Sequence, residues 1–224
     1  MTAASTRPAV HLRRLLVSMH VLVTGGWLAT AVGMAALSFL ALRTADPALT
    51  HAALWMAHVL DDDVLVPFAL TTAYTGVMLG VLTPWGFVRH RWVVTKLLIT
   101  VGGLYLGVAW LGRWLEEAVA ASAAGGLGPV GIYLVWGALL IGALMLATWL
   151  GVAKPGGPTR WGRNRTRRPP APGTPTYLLV LVAPVLDWAA GVYGGLMATV
   201  ALACLAQRRW RSRTPQQPAA TRNR

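Results

Sequence analysis

Apolar positions in this chain come in long uninterrupted blocks. Residues 15–42, 64–88, 97–112 and 118–153 contain no Lys, Arg, Asp or Glu, and charge collects in the short stretches between them. A hydrocarbon core of about 30 Å is crossed by about 20 helical residues. In lipid the backbone must satisfy its own hydrogen bonds, so such blocks predict helices. The first expected span is about Leu15–Leu42, ended by Arg43 and the turn-forming Asp46-Pro47. A second helix begins near Pro47 or Ala48 and is fully apolar from Val64 to Leu82. It stops at Thr83-Pro84-Trp85-Gly86, because Pro and Gly are costly inside a helix. The third runs from about Trp92 to Trp114, with aromatic residues at both ends as interfacial belts require. Gly125, Gly126, Gly128 and Pro129 mark a turn before the fourth, about Val130–Val152.

A fifth apolar stretch, about 177–206, contains Pro184 and Asp187. It is read as a kinked span, with a re-entrant hairpin or a loosely packed extra helix as the alternatives. The expected fold class is therefore all-α: a polytopic membrane four-helix bundle with an additional C-terminal transmembrane helix. Five regions follow. Residues 1–14 form a cytoplasmic tail, 15–152 the bundle, 153–176 a basic linker rich in Pro, Gly and Arg, 177–206 the fifth apolar helix and 207–224 a disordered basic tail.

Composition agrees, with 55% hydrophobic and 12% charged residues, against about 25% charged in soluble domains. A net charge of +13 raises nucleic acid as a partner. The bases, however, lie in tails and connectors and form no separate domain, so the expected contact is with lipid headgroups. The N-terminal tail carries Arg7, Arg13 and Arg14, the second connector Arg89, Arg91 and Lys96, and the connector after the fourth span six more. The other two connectors hold one each, Arg43 and Arg113. The positive-inside rule then places the N-terminus in the cytoplasm of a cell whose inner (plasma) membrane holds the protein. The 28 uncharged residues of the first block exceed the 7–15 of a signal h-region, so a retained helix is expected. A single cysteine, Cys204, leaves no intramolecular disulfide and no Cys-based metal cluster.

Small residues repeat along single faces: Thr72, Gly76 and Gly80 on the second helix, Gly103 and Gly107 on the third. Such stripes let helix backbones approach closely in lipid. His20, Thr24, Trp27, Ala31 and Met34 share one face of the first helix, and Lys96, Thr100, Gly103 and Gly107 one face of the third. These two faces are the expected bundle interior.

Two constellations carry candidate chemistry. His20 and Lys96 lie at similar depth on different helices toward the cytoplasmic side. A neutral imidazole ligates haem iron or a metal, and a lysine holds a propionate or other anion. An ionisable group within a membrane is a functional candidate, although a snorkelling Lys96 and a hydrogen-bonded His20 would account for both residues structurally. At the opposite side stand His51, Met56, His58, Asp61, Asp62 and Asp63. His58 with Asp61 and Asp62, at i+3 and i+4, offers nitrogen and oxygen ligands to a divalent ion, and Met56 a thioether suited to copper. A solvated acidic helix end is the plainer alternative. His20 and His58 lie most of a bilayer apart and cannot share one iron. No glycine-rich phosphate loop, HExxH or CxxC occurs, and no catalytic residue is assigned.

His20-x6-Trp27, Thr83-Pro84-Trp85-Gly86, Trp92-x3-Lys96-Leu97, Lys154-Pro155 and Thr159-Arg160-Trp161-Gly162 together resemble an uncharacterised family of bacterial integral-membrane proteins over about 15–165. That family is distantly similar to the copper-resistance D membrane proteins and to protoporphyrinogen oxidases of the HemJ type. The resemblance implies four membrane helices, with a first-helix His at His20 and a third-helix Lys at Lys96 that matter for haem or porphyrin; Trp27 would line the same site. The oxidase pattern also has a His where this chain has Val94, and another late in the third helix, where Val108, Ala109 and Trp110 stand. Neither a bis-His haem nor the oxidase activity is implied. Three readings stay open: a polytopic bundle without catalysis, acting as a scaffold, homo-oligomer or partner subunit; a haem- or porphyrin-handling protein using His20 and Lys96; and a copper or divalent-metal protein using Met56, His58, Asp61 and Asp62.

Overall fold

A computed structural model describes residues 6–83, 86–160, 173–192 and 194–213. Four helices follow one another up and down: α1 (Thr6–Arg43), α2 (Pro47–Leu82), α3 (Arg91–Ala123) and α4 (Val130–Ala153). All four are long and apolar enough to cross a membrane. Two further helices, α5 (Thr174–Ala189) and α6 (Gly195–Arg213), complete an all-α bundle with no strand among the described residues. α2 is the central helix: 56% of its most apolar window is buried, against 6% of α3's.

Local chemistry sets the ends. Asp46 caps α2 by accepting from the Ala48 N–H at 2.9 Å, and Pro47 takes the first helical position, where its missing N–H costs nothing. α3 ends in a glycine turn: Gly125, at φ +78°, lets the Gly126 N–H return to the Ala121 carbonyl at 2.9 Å. Pro84, Trp85 and residues 161–172 of the expected motifs and linker lie outside the described residues.

α2 and α3 are not continuous α-helices. Each opens into one π-turn, Asp61–Leu65 in α2 and Gly107–Leu111 in α3. Pro67 supplies the reason in α2, since it has no N–H for the Asp63 carbonyl and its ring would crowd that group. Widening the preceding turn relieves the conflict.

The stretch 177–206 is not one kinked helix. α5 ends at Ala189 and α6 starts at Gly195, and the two fold back on each other as a hairpin. Both oxygens of the buried Asp187 accept from the N-terminus of α6, from Leu196 N and Met197 N, each at 2.9 Å. Pro184 cannot donate to the Val180 carbonyl, and the Tyr74 hydroxyl of α2 donates to it instead at 3.2 Å. Arg208 closes the return by donating to the Gly80 and Val81 carbonyls at the end of α2, which lack helical partners there. Tyr177, Val180, Ala183, Met197, Val200 and Cys204 pack with Leu16, Tyr74 and Met78 into one core; a second core joins Trp27, Met34, Leu54, Leu115, Tyr133 and Leu144. α6 continues to Arg213, so the first residues of the expected disordered tail are helical.

Candidate functional site

His20 sits on the interior face of α1, one turn from the fully buried Leu16. Its Nδ1 lies 2.8 Å from the Thr75 hydroxyl on α2. That hydroxyl has one proton, and it already donates to the Thr71 carbonyl at 2.7 Å. The His20 ring also bonds the Thr72 carbonyl, which the same hydroxyl approaches at 3.2 Å, so imidazole and hydroxyl share one set of α2 acceptors. Thr24 bonds back to the His20 carbonyl at 2.6 Å and stiffens the same turn.

The small-residue stripes make room for rings rather than for bare backbones. A Cβ at Gly76 would lie 3.3 Å from His20 Cε1, and one at Gly103 would lie 3.6 Å from Trp27 Cη2 and 2.8 Å from Leu140. Trp27 is fully buried, and its Nε1 has no hydrogen-bond partner; neither has the buried Thr72 Oγ1. Thr72 Oγ1 is thus orphaned beside the His20–Thr75 pair, and Trp27 Nε1 two turns along α1, at a cost of about 1–3 kcal/mol each. Lys96, half-buried on α3, is near enough for its charge to act on His20, and its Nζ rests against Gly151 of α4. The structure therefore brings together His20, Thr72 and Thr75 toward the basic end, with Lys96 within electrostatic reach on another helix. Thr75 and Gly151 were missed in the sequence because a threonine and a glycine in an apolar run carry no distinguishing pattern.

The outer constellation is dispersed. His58 Nε2, on a half-buried ring whose Nδ1 is buried without a partner, stands 3.7 Å from Oδ2 of the exposed Asp62 on the same helix. The π-turn turns Asp61 inward, where its Oδ2 lies 3.8 Å from the position a Cβ would take on Gly112, near Tyr133. Met56 is exposed on another face. Among the described residues no three His, Cys, Asp or Glu side chains stand so as to hold a metal ion. His51, nearer the tip, repeats the His20 arrangement with Ser122: its Nδ1 lies 2.8 Å from a hydroxyl that donates to Val119 O.

No family model, curated protein or solved structure matches this chain.

Proposed function

We propose that this chain is a multi-pass protein of a bacterial plasma membrane, with its N-terminus and both basic connectors in the cytoplasm. The sorting of charge carries the reading. Four helices can cross, the basic connectors all lie at one end, and six of the seven side-chain carboxylates lie toward the other. Exposed apolar side chains follow α3 and α4, among them Leu98, Val101, Tyr105, Val108, Val135, Leu139 and Val152. Water would penalise that surface and lipid does not. In this topology α5 and α6 enter from the cytoplasmic side and return to it. Tyr177 to Asp187 spans about 15 Å, half the hydrocarbon thickness. A hairpin of that depth keeps Arg208 and the residues after it inside, in accord with the positive-inside rule; a fifth crossing would put them outside. The role is that of a binding or scaffolding subunit, and the likeness to the uncharacterised bacterial membrane family belongs to the same reading. The protein should sediment with membranes through an alkaline carbonate wash and dissolve only in detergent. Release by the wash would contradict the proposal.

A second reading, a haem- or porphyrin-binding protein, is favoured by the pairing of a buried-face imidazole with a nearby cation. His20 is the kind of nitrogen donor an iron needs, Lys96 supplies a cation for a carboxylate, and Trp27 Nε1 and Thr72 Oγ1 are buried without partners. These residues fit one axial nitrogen and one propionate, and nothing in the outer cluster can reach the same iron. Bound haem would supply electron transfer; the chain would hold and orient it. Purified protein reconstituted with haem should show a Soret band that His20→Ala loses. A spectrum without the band in both proteins would end this reading.

A further inference from the structure

The basic end of the bundle is a single stitched surface. The Thr159 N–H donates to the Arg89 carbonyl at 2.9 Å, the Thr159 hydroxyl donates to the Val88 carbonyl, and His90 pairs with Pro158 in an antiparallel bridge. Two connectors more than 60 residues apart in sequence thus become one platform. It holds Arg89, Arg91, Lys154 and Arg160, with Lys96 just below.

Two of these cations are seated on glycines. A Cβ at Gly151 would lie 3.0 Å from Lys96 Nζ, and one at Gly156, where φ is +77°, would lie 3.7 Å from Arg91 Cβ and Cδ. The α3–α4 seam therefore keeps both side chains against bare backbone and holds the Lys96 ammonium about one turn inside the bundle end. No carboxylate answers them. Of the chain's seven Asp and Glu residues, Asp46, Asp61, Asp62, Asp63, Glu116 and Glu117 are at the far end, and both oxygens of Asp187 are bonded within the hairpin. The two ion pairs among the described residues, His58–Asp62 and Arg113–Glu117, are also at the far end. Exposed apolar side chains lie on the same two helices, among them Leu98 at 67% and Val152 at 81% exposure. A diffusing inorganic anion has no use for them, whereas the acyl chains of a lipid do.

We propose that the α3–α4 seam at the basic end binds the phosphate of an anionic phospholipid, with Lys96 and Arg91 as its principal partners and the lipid chains lying along the exposed apolar surface of α3 and α4. The proposal rests on the membrane reading above and is independent of any ligand at His20. Basic pockets between helices at the cytoplasmic face are suited to such headgroups, and each cation near the surface contributes about fivefold in affinity.

The test is native mass spectrometry of the full chain, purified in detergent and titrated with phosphatidylglycerol, phosphatidylcholine or inorganic phosphate. Phosphatidylglycerol should be retained at least about tenfold more tightly than phosphatidylcholine. The preference should fall about fivefold in Lys96→Gln and further in Arg91→Gln/Lys96→Gln, and persist in Arg113→Gln and in His20→Ala. Equal retention of the two lipids by the wild-type protein, which needs no variant to fold, would overturn the proposal and leave the membrane reading standing. Retention of neither lipid would overturn both. Inorganic phosphate displacing phosphatidylglycerol at equal concentration would also overturn it, by assigning the seam to a free anion. Loss of the preference in His20→Ala would do so by returning Lys96 to the His20 site.

Discussion

The two ends of this bundle use the same hydrogen-bonding device in opposite electrostatic settings. At the basic end His20 pairs with Thr75, and toward the acidic end His51 pairs with Ser122. In each pair the hydroxyl also bonds a carbonyl of its own helix. The surroundings then diverge. Near His20 the neighbouring charge is Lys96, and Trp27 Nε1 and Thr72 Oγ1 are buried without partners. Around His51 and His58 stand carboxylates that mostly face water. One pairing rule thus serves two electrostatic settings, a cation beside His20 and a run of carboxylates beside His51 and His58. Neighbouring charge separates the two histidines, for both are half-buried and buried unpartnered atoms stand at each end, Thr72 Oγ1 at one and His58 Nδ1 at the other.

That contrast predicts a graded series in thermal unfolding of detergent-solubilised protein. The largest loss, about 3 kcal/mol, is expected for Gly103→Leu, which overfills the space held by Trp27 and Leu140. Gly137→Leu, with nothing within 4 Å of its added Cβ, should be nearly silent. Equal effects would mean that the interior between α1, α3 and α4 is not packed as described. Thr75→Val should cost about 2 kcal/mol, because the imidazole loses its hydroxyl partner; Ser122→Ala, at a hydroxyl also buried and paired at 2.8 Å, should cost about as much. A silent serine variant would mean that the two pairs are not equivalent. Asp187→Ala should cost about 1–2 kcal/mol by uncapping α6, and should loosen the hairpin first, seen as faster amide exchange at Leu196 and Met197. Unchanged exchange there would rule out Asp187 as the cap. The smallest change is expected for Asp62→Asn, within about 0.5 kcal/mol, since the Asp62 carboxylate is exposed and its 3.7 Å pairing is screened by water.

Much of this architecture is legible in the sequence because lipid imposes simple demands. A span must be long and free of charge, so Leu15–Leu42 and Val130–Val152 stand out without any knowledge of packing. His20 and Lys96 stand out as ionisable groups in or beside apolar runs. What escaped depends on contacts between distant residues. Thr75 is 55 positions from His20 and reads as one more small residue in an apolar run. The function of Pro184 depends on a tyrosine 110 residues earlier, which supplies the hydrogen that the ring cannot. Asp187 reads as a charge disfavouring a span, although its two oxygens are satisfied by backbone beyond the turn. The π-turns leave only Pro67 and a glycine-rich stretch as traces, and the second of these names no position. Asp61 accordingly looks like one of three equivalent aspartates until the widened turn rotates it inward.

The topology that joins these parts can be tested with single cysteines in a Cys204→Ala background, labelled by a membrane-impermeant maleimide. A cysteine at Arg113 should react in intact cells, whereas cysteines at Arg89 and Arg209 should react only after the inner face is exposed. Labelling of position 209 from outside would make 174–213 a crossing segment and contradict the re-entrant hairpin.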